Sequence, residues 1–194
     1  MSQVLKEDIK EKIILSAKEE FYKRDYNSAK LRDIAKNADI SLGLIYSYFK
    51  NKEELFNAIL SPVFLKMKIL LNKSREENDI SFNDFIDEEL KMLLYLLKNY
   101  REELVILIDK SNGTKYEKAK EEIINMTQNH IKKQLEGKKE KRIDEMDDLF
   151  YHILASNFME GIFEIARHYK NDDWSVKIMN LLYKQYFYGT TSFI

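Results

Sequence analysis

Apolar residues in the first 60 positions recur at the three- and four-residue spacing of helices. They divide this part of the chain into four predicted helices, the first over about residues 6–24 and the second over about residues 31–38. Ser41 is a suitable N-cap for the third helix and Asn51 for the fourth, with Glu54 three residues later as in a capping box. Two short helices joined by a turn of about three residues are typical of a helix-turn-helix.

The third predicted helix carries unusual residues on its outer side. If Ile45 and Phe49 face the core, the residues that point outward or lie at the helix start are Leu42, Gly43, Leu44, Ser47 and Tyr48. Glycine inside a helix costs about 1 kcal/mol relative to alanine, so Gly43 needs a reason. Either a DNA backbone or base edge comes close to the helix, or the helix packs tightly on the second one. The spacing leaves both explanations open.

Three side chains near this helix suit phosphate chemistry. The hydroxyls of Tyr46 and Tyr48 can donate to phosphate oxygens, which accept most protein–DNA hydrogen bonds. Lys52 lies at the start of the fourth helix, where the helix dipole disfavours a cation unless an anion is near. Each of the three also has an ordinary explanation, as a half-buried tyrosine or a solvated lysine.

The rest of the chain continues the helical pattern. The fourth helix runs past Pro62, a residue that can kink it, and further helices follow at about residues 82–100, 101–111 and 115–135. A break is predicted at residues 78–82, a turn at 112–114, and a charged loop at EGKKEKRID. The last two helices cover about residues 149–166 and 174–187. The prediction is an all-α chain of about nine helices.

The last two predicted helices are apolar all the way round, so each needs cover on both sides. A second copy of the chain can supply that cover in a four-helix interface of about 2,000 Å² or more. The sequence therefore predicts a homodimer. Its interface residues are expected to be Ala155, Phe158, Gly161, Ile162, Ile178, Leu181 and Leu182.

A cavity among the later helices is the predicted binding site for a small hydrophobic or amphipathic ligand. Its expected lining is Phe64, Met67, Phe85, Met92, Tyr95, Tyr116, Met126, His130, Asn157 and Phe158. Methionines and aromatic residues at helical spacing are more often plain core. His130 and Asn157 are the better candidates, because a polar group among apolar neighbours needs a partner.

Composition narrows the class of protein. One proline, five glycines and no cysteine in 194 residues favour helices and exclude disulfide and thiol chemistry. The polar start MSQVLKEDIKEK, and apolar runs well short of the ~18 residues of a membrane span, predict a cytoplasmic protein without a membrane partner. Residues 1–52 carry 11 basic and 8 acidic side chains, against 21 and 25 in residues 53–194. This modest N-terminal positive charge also fits an ordinary solvated face.

An enzyme is the rival class, and the residues give it little support. A di-iron bundle needs Glu-x-x-His pairs, and none of His130, His152 or His168 has glutamate three residues before it. We therefore expect no catalytic residues, no metal and no cofactor. A helical protein–protein adaptor is the other alternative, and salt-dependent DNA binding would distinguish it from a DNA-binding regulator.

Residues 13–56 resemble the N-terminal domain of TetR/AcrR-type transcriptional regulators. IILSAKEEFYKRDY is similar to the first helix of that family, LRDIAKNADIS to the second helix and turn, and LGLIYSYFKNKEELF to the recognition helix and the start of helix four. The agreeing positions are Ile34, Ala35, Ser41, Gly43, Tyr46, Tyr48, Phe49, Lys52, Glu53 and Leu55.

The resemblance implies a dimeric DNA-binding regulator, usually a repressor, that leaves its operator when a small molecule binds. DNA binding is then expected from residues 1–53, and effector binding and dimerisation from residues 54–194. Arg32, Leu42, Gly43, Leu44 and Ser47 would face bases, and Tyr46, Tyr48 and Lys52 would hold phosphates. Ser41 would cap the recognition helix beside these contacts. An effector would act by shifting helix four and so changing the separation of the two recognition helices.

Two positions depart from the family pattern. Asp25 stands where the family usually has glycine, and Ala29 where it usually has threonine capping helix two. Ser28 is then the expected cap, and Lys30 the expected replacement for the lost DNA backbone contact. Because two groove-facing leucines can contact thymine methyls but cannot hydrogen-bond guanine, the expected operator is an A/T-rich inverted repeat.

Overall fold

The computed structural model describes residues 3–72, 82–136 and 147–191, and all regular secondary structure in these ranges is helical. The eight helices are α1 (Gln3–Lys23), α2 (Leu31–Asn37), α3 (Leu42–Tyr48), α4 (Lys52–Asn72), α5 (Phe82–Asp109), α6 (Ala119–Glu136), α7 (Asp148–Arg167) and α8 (Asp172–Thr191). The predicted all-α class is confirmed. In the described ranges, no helix is both long and apolar enough to cross a membrane.

One predicted boundary agrees with the structure and another differs from it. The helices expected at residues 82–100 and 101–111 meet within α5 at Tyr100, whose angles (φ −136°, ψ 22°) are not helical, so the predicted break is confirmed as a kink. The helix expected from residue 115 begins at Ala119 instead. Thr114 causes this delay, because its hydroxyl donates to the Ser111 carbonyl at 2.6 Å and accepts the Tyr116 N–H at 3.1 Å, which favours a turn. The predicted break at residues 78–82 and most of the charged loop lie outside the described residues.

The chain forms two compact units, one of Met1–Phe64 with Glu102–Ala119 and one of Leu65–Arg101 with Lys120–Ile194. In the first unit, the buried faces of α1, α2 and α3 meet through Ile13, Phe21, Ile34 and Ile45, all 0% exposed. Phe21 and Phe56 pack edge to face at 4.8 Å between ring centroids. The predicted helical spacing thus identified the core of this unit.

Residues 102–119 are joined to the α1–α2 connection (residues 24–30) by polar bonds within the first unit. The Tyr26 N–H donates to the Lys110 carbonyl at 2.9 Å, and Asn27 Nδ2 donates to the Asn112 carbonyl at 3.2 Å. Gly113 has φ +76°, and a Cβ there would lie 3.3 Å from Asn27 Oδ1. The turn after α5 therefore needs glycine for its backbone angle and leaves little room for a side chain.

In the second unit, α7 buries one broad face inside the chain itself. Ala155, Phe158 and Ile162 are 0%, 8% and 1% exposed. Tyr151 packs with Ile131 of α6. Their predicted place in an interface with a second copy is therefore wrong, because helices of the same chain already cover this side of α7. Part of the apolar surface of α7 that led to the dimer prediction therefore packs in the core of the single chain.

Candidate nucleic-acid interface

The turn between α2 and α3 is built from local hydrogen bonds. Asp39 has φ 51°, a left-handed conformation that aspartate tolerates better than most residues. Its N–H donates to the Lys36 carbonyl at 3.1 Å, and the next N–H, of Ile40, donates to the Ala35 carbonyl at 3.0 Å. These two bonds form a Schellman motif, which ends α2 sharply.

Ser41 starts α3 as the sequence predicts. Its backbone is extended, and its Oγ accepts the Leu44 N–H at 3.2 Å. Ile45 and Phe49 are buried at 0% and 4% exposure, which turns the opposite side of the helix to solvent. Sequence and structure therefore agree on which face of this helix is free to meet another molecule.

The outer face of α3 contains the residues expected to contact DNA. Gly43, Tyr46 and Ser47 are exposed, with Tyr46 at 51%, and Leu42, Leu44 and Tyr48 are half-buried. The Ser47 hydroxyl donates to the Leu44 carbonyl at 2.7 Å and so keeps its oxygen as an acceptor. A Cβ on Gly43 would meet one atom within 4 Å, Ser41 Oγ at 4.0 Å. Tight packing on α2 therefore does not explain this glycine.

The start of α2 differs from the sequence prediction. The helix begins at Leu31, and Lys30 is its N-cap residue but makes no side-chain cap bond. Ser28 is not the cap, because its N–H donates to Asp25 Oδ1 at 2.6 Å in the preceding turn. This hydrogen bond lowers the pKa of the Asp25 carboxyl group. Lys30 and Arg32 both precede α3 in the sequence, and both side chains are exposed, as a DNA contact requires.

Lys52 has partners other than the predicted phosphate. Its Nζ donates to the backbone carbonyls of Tyr26 at 2.6 Å, Asn27 at 3.3 Å and Ala29 at 3.1 Å. It also lies 4.5 Å from the centroid of the Tyr26 ring. Burial lowers the pKa of the Lys52 ammonium, and the negative charge of Asp25 opposes that shift. Sequence reasoning missed this arrangement because its acceptors are backbone groups far away along the chain.

The start of α4 combines a predicted cap with one more bond. Asn51 Oδ1 accepts the Glu54 N–H at 2.8 Å, as expected. Glu54 Oε2 accepts the N–H of Lys50 at 2.7 Å, one residue earlier than in a standard capping box. Together these bonds fix the turn that joins α3 to α4.

The residues predicted to line one ligand cavity are dispersed. Phe64 and Tyr116 pack edge to face at 5.6 Å in the first unit, and Met67 is 1% exposed in the core of α4. Met126 is half-buried, and the side chain of Phe85 lies outside the described part of the chain. That all ten residues line one cavity stays a prediction.

The other predicted lining residues border three neighbouring spaces in the second unit, which share Leu70, Glu89, Phe158 and Tyr186 as lining residues. Met92 and Tyr95, with Lys66 and Ile69, line an open cleft of about 600 Å³ between α4 and α5. His130 and Phe158 line a small cavity of about 50 Å³. Asn157 borders a groove between α7 and α8. Among these three spaces in the described residues, the cleft has the volume of a typical ligand site.

His130 has the polar partners that the sequence required. Its Nδ1 lies 3.1 Å from the Leu71 carbonyl oxygen, and its Nε2 lies 2.5 Å from Glu89 Oε1. The Tyr183 hydroxyl donates to the other oxygen of Glu89 at 3.2 Å. These bonds join α4, α5, α6 and α8, so His130 has a structural role in this unit.

Comparisons with known proteins agree with this geometry. Residues 13–59 match the family described as bacterial regulatory proteins, tetR family. The uncharacterized HTH-type transcriptional regulator YhgD of Bacillus subtilis is 29% identical over 136 residues, 70% of each chain. The HTH-type transcriptional regulator TtgR of Pseudomonas putida is 34% identical over 74 residues, 38% of this chain and 35% of that protein.

A solved structure extends the likeness to most of the fold. SCO3833, a member of the TetR transcriptional regulator family from Streptomyces coelicolor, superposes with a TM-score of 0.70 at 15% identity, covering 90% of this chain and 89% of that chain. At this identity the likeness shows the fold alone. The match over residues 13–59 and the likeness to YhgD support a TetR/AcrR family transcriptional regulator, and the solved structure agrees in fold.

Proposed function

We propose that this regulator is a homodimeric repressor that binds an inverted-repeat operator and releases it when a small amphipathic molecule binds. The observation that carries the proposal is the outer face of α3. Gly43 leaves open space there, and Tyr46 beside it is 51% exposed. An exposed helix face with a gap at its N-terminal end suits close approach to the edges of base pairs in a major groove.

The chemistry of the exposed residues supports specific roles. Arg32, Leu42, Gly43, Leu44 and Ser47 face bases, and Lys30, Tyr46 and Tyr48 contact phosphates. The two leucines can contact thymine methyls, whereas Arg32 is the side chain that can hydrogen-bond guanine. The preferred operator is therefore A/T-rich opposite the leucines, with DNA shape adding to the specificity.

The outward sides of α7 and α8 form the dimer interface in this proposal. Leu181 is 58% exposed, and Leu181 and Leu182 follow Ile178 at the helical spacings of three and four residues. On α7, Ile153 is 44% exposed, and the small Gly161 lies against Leu182, whose methyl carbons are 2.8 Å from the position of a Cβ there. Exposed apolar groups of this size, on neighbouring helices, favour association with a second copy.

The cleft between α4 and α5 is the proposed effector site. Its lining exposes mostly apolar surface, with Ile69, Leu70, Met92 and Tyr95 as the apolar residues. Lys66 and Lys91 add positive groups, and Glu88 and Glu89 add negative ones. An apolar cleft with charged groups fits an amphipathic molecule. Binding can shift the operator equilibrium only through different affinities for the two states of the repressor.

The test is selection of duplexes from a random DNA pool by the purified full chain. We expect an inverted repeat, which Tyr46→Phe binds more weakly because one phosphate hydrogen bond is lost. Tyr95→Phe is the matched control, since Tyr95 is similarly exposed at 45% but lies in the cleft. Failure to enrich any sequence would overturn DNA binding and favour the adaptor alternative.

Dimerisation is tested separately by sedimentation of Leu181→Glu. A buried charge in the interface should produce monomers. Leu65→Glu is the control, because Leu65 is also 58% exposed but lies on α4. Equal behaviour of the two variants would contradict the proposed interface.

A further inference from the structure

We infer that Lys52 is a positioning residue, which holds the α1–α2 connection and thereby sets the start of α2, and that it does not contact phosphate. The inference rests on the proposed DNA binding for its functional consequence. Its structural basis is the convergence of the Tyr26, Asn27 and Ala29 carbonyls on one ammonium group, at 2.6, 3.3 and 3.1 Å. A lysine ammonium has three N–H donors, and these carbonyls engage all three.

The surroundings explain why a cation is stable at this place. Lys52 is the first residue of α4, where the helix dipole by itself disfavours positive charge. The three carbonyl oxygens present negative partial charge to the ammonium, and the face of the Tyr26 ring lies 4.5 Å away. Asp25, in the same connection, adds an attractive carboxylate charge. These contacts offset part of the cost of burying the ammonium, which still lowers its pKa, and they hold it in place without a phosphate.

α2, the helix that follows the connection, needs a stabilising contact of this kind at its start. α2 has seven residues, and its N-cap residue, Lys30, makes no side-chain bond to the helix. Helices this short gain little stability of their own, so their position depends on tertiary contacts. The Ala29 carbonyl, which accepts a hydrogen bond from Lys52 Nζ, belongs to the peptide bond that joins Ala29 to Lys30. The lysine therefore fixes the chain where a capping side chain would otherwise do so.

The functional consequence follows from sequence order. Lys30 and Arg32 come one and three residues after Ala29, and both are exposed. If the connection is released, these side chains lose their fixed starting point. A flexible lysine such as Lys30 can reach a phosphate from many positions, whereas base readout by the planar guanidinium of Arg32 needs a fixed direction. The effect of Lys52 on DNA binding is therefore exerted mainly through Arg32, and it is largest for the base pair that Arg32 contacts.

The experiment measures operator affinity across a range of salt concentrations for Lys52→Met, which keeps the alkyl stem and removes the ammonium. We expect an affinity loss of at least about tenfold, the size of one weakened bidentate base contact. The slope of log affinity against log salt should stay at the wild-type value. The comparison variant Lys30→Met should instead lower the slope by about 0.9 per lost phosphate contact.

Two further variants separate positioning from a general structural role. In an Arg32→Ala background, Lys52→Met should have much less additional effect, because the residue through which it acts is already removed. Lys52→Arg should restore affinity only partly, since a planar guanidinium cannot direct three N–H groups to these converging carbonyls. Full rescue by arginine, with a lower salt slope in Lys52→Met, would establish a phosphate contact and overturn the inference. Unchanged affinity in Lys52→Met would also overturn it.

Hydrogen exchange gives a readout without DNA. Lys52→Met should speed amide exchange more at the start of α2 than at the start of α3, which Ser41 caps. If the wild-type chain selects no duplex but this local effect is present, the proposed function fails and the structural role of Lys52 stands. Equal acceleration in both helices would mean general destabilisation and would overturn the inference.

Discussion

α2 and α3 are both seven residues long and both bury an isoleucine completely, yet their starts are held in different ways. The start of α3 is fixed locally, by the Ser41 hydroxyl three residues before Leu44. The start of α2 is fixed by Lys52, which bonds carbonyls 23 to 26 residues earlier in the chain. A motif of two similar helices therefore combines one local and one tertiary solution to the same problem of helix ends.

The largest expected effect tests whether α2 and α3 are anchored equally by their buried isoleucines. Ile34→Ala and Ile45→Ala should each destabilise the first unit by about 2–5 kcal/mol, because both side chains are 0% exposed. Urea titration measures this. A cost below about 1 kcal/mol for either variant would mean that its helix is not anchored through its core.

The next largest effect concerns the start of α2, which a tertiary contact with Lys52 fixes. Lys52→Met should destabilise the first unit by about 2 kcal/mol, because carbonyls of the connection lose hydrogen bonds from a charged donor. Lys50→Met is the control, since Lys50 is exposed and an exposed substitution usually changes stability by no more than about 0.5 kcal/mol. Equal small effects in the same titration would contradict the role of Lys52 in stability.

Substitution at the start of α3, which the Ser41 side chain fixes locally, should change stability less. Ser41→Ala should cost about 1 kcal/mol, the usual value for loss of an N-cap side chain. Ser28→Ala should cost less, because alanine keeps the backbone N–H that bonds Asp25 and loses only the weaker hydroxyl bond to the same carboxyl group. Thermal unfolding of both variants ranks them. A larger loss for Ser28→Ala would restore Ser28 as the effective cap of α2.

Gly43→Ala should separate stability from function. Open space around Gly43 means that alanine adds about 0.5–1 kcal/mol of helix stability, while its methyl group should weaken operator binding. Gly161→Ala is the contrasting variant and should gain less stability, because the Leu182 methyl groups, 2.8 Å from the added Cβ, must shift. Denaturation and DNA titration are both needed. A more stable variant with unchanged affinity would show that DNA does not approach at Gly43.

The smallest effect is the pH dependence of Asp25→Asn. The Ser28 N–H holds the pKa of the Asp25 carboxyl below its ordinary value, so the ionised group stabilises the fold above the unfolded pKa of about 4. This contribution is lost as the pH falls through the lower folded value. The difference in Tm between wild type and variant should therefore be larger at pH 7 than at pH 2. A difference in Tm that does not change with pH would contradict this role of Asp25.

Local signals in the sequence predicted much of the first unit. The caps at Ser41 and Asn51, and the buried face of α3, depend on residues within three or four positions of each other. The start of α2 could not be predicted in this way. Its determinant, Lys52, became visible only when the fold brought it to the connection, and Ser28 offered a false local signal.

In the second unit, the apolar pattern was correct but its interpretation was incomplete. An apolar-all-round helix needs cover on every side, and the pattern does not say which cover comes from the same chain. Ala155, Phe158 and Ile162 proved to be covered internally, whereas Leu181 did not. The predicted cavity lining has the same weakness, because helical spacing gives a direction around a helix and not the neighbour that lies there.

The bonds from Tyr26 and Asn27 to the turn after α5 have a consequence for engineering. A designer who transplants only residues 1–53 onto another sensor domain would leave the Tyr26 N–H and the Asn27 amide without Lys110 and Asn112. The graft that preserves these contacts takes residues 102–119 with it, including Gly113 and its φ of +76°. The natural cassette for such chimaeras is therefore discontinuous in sequence.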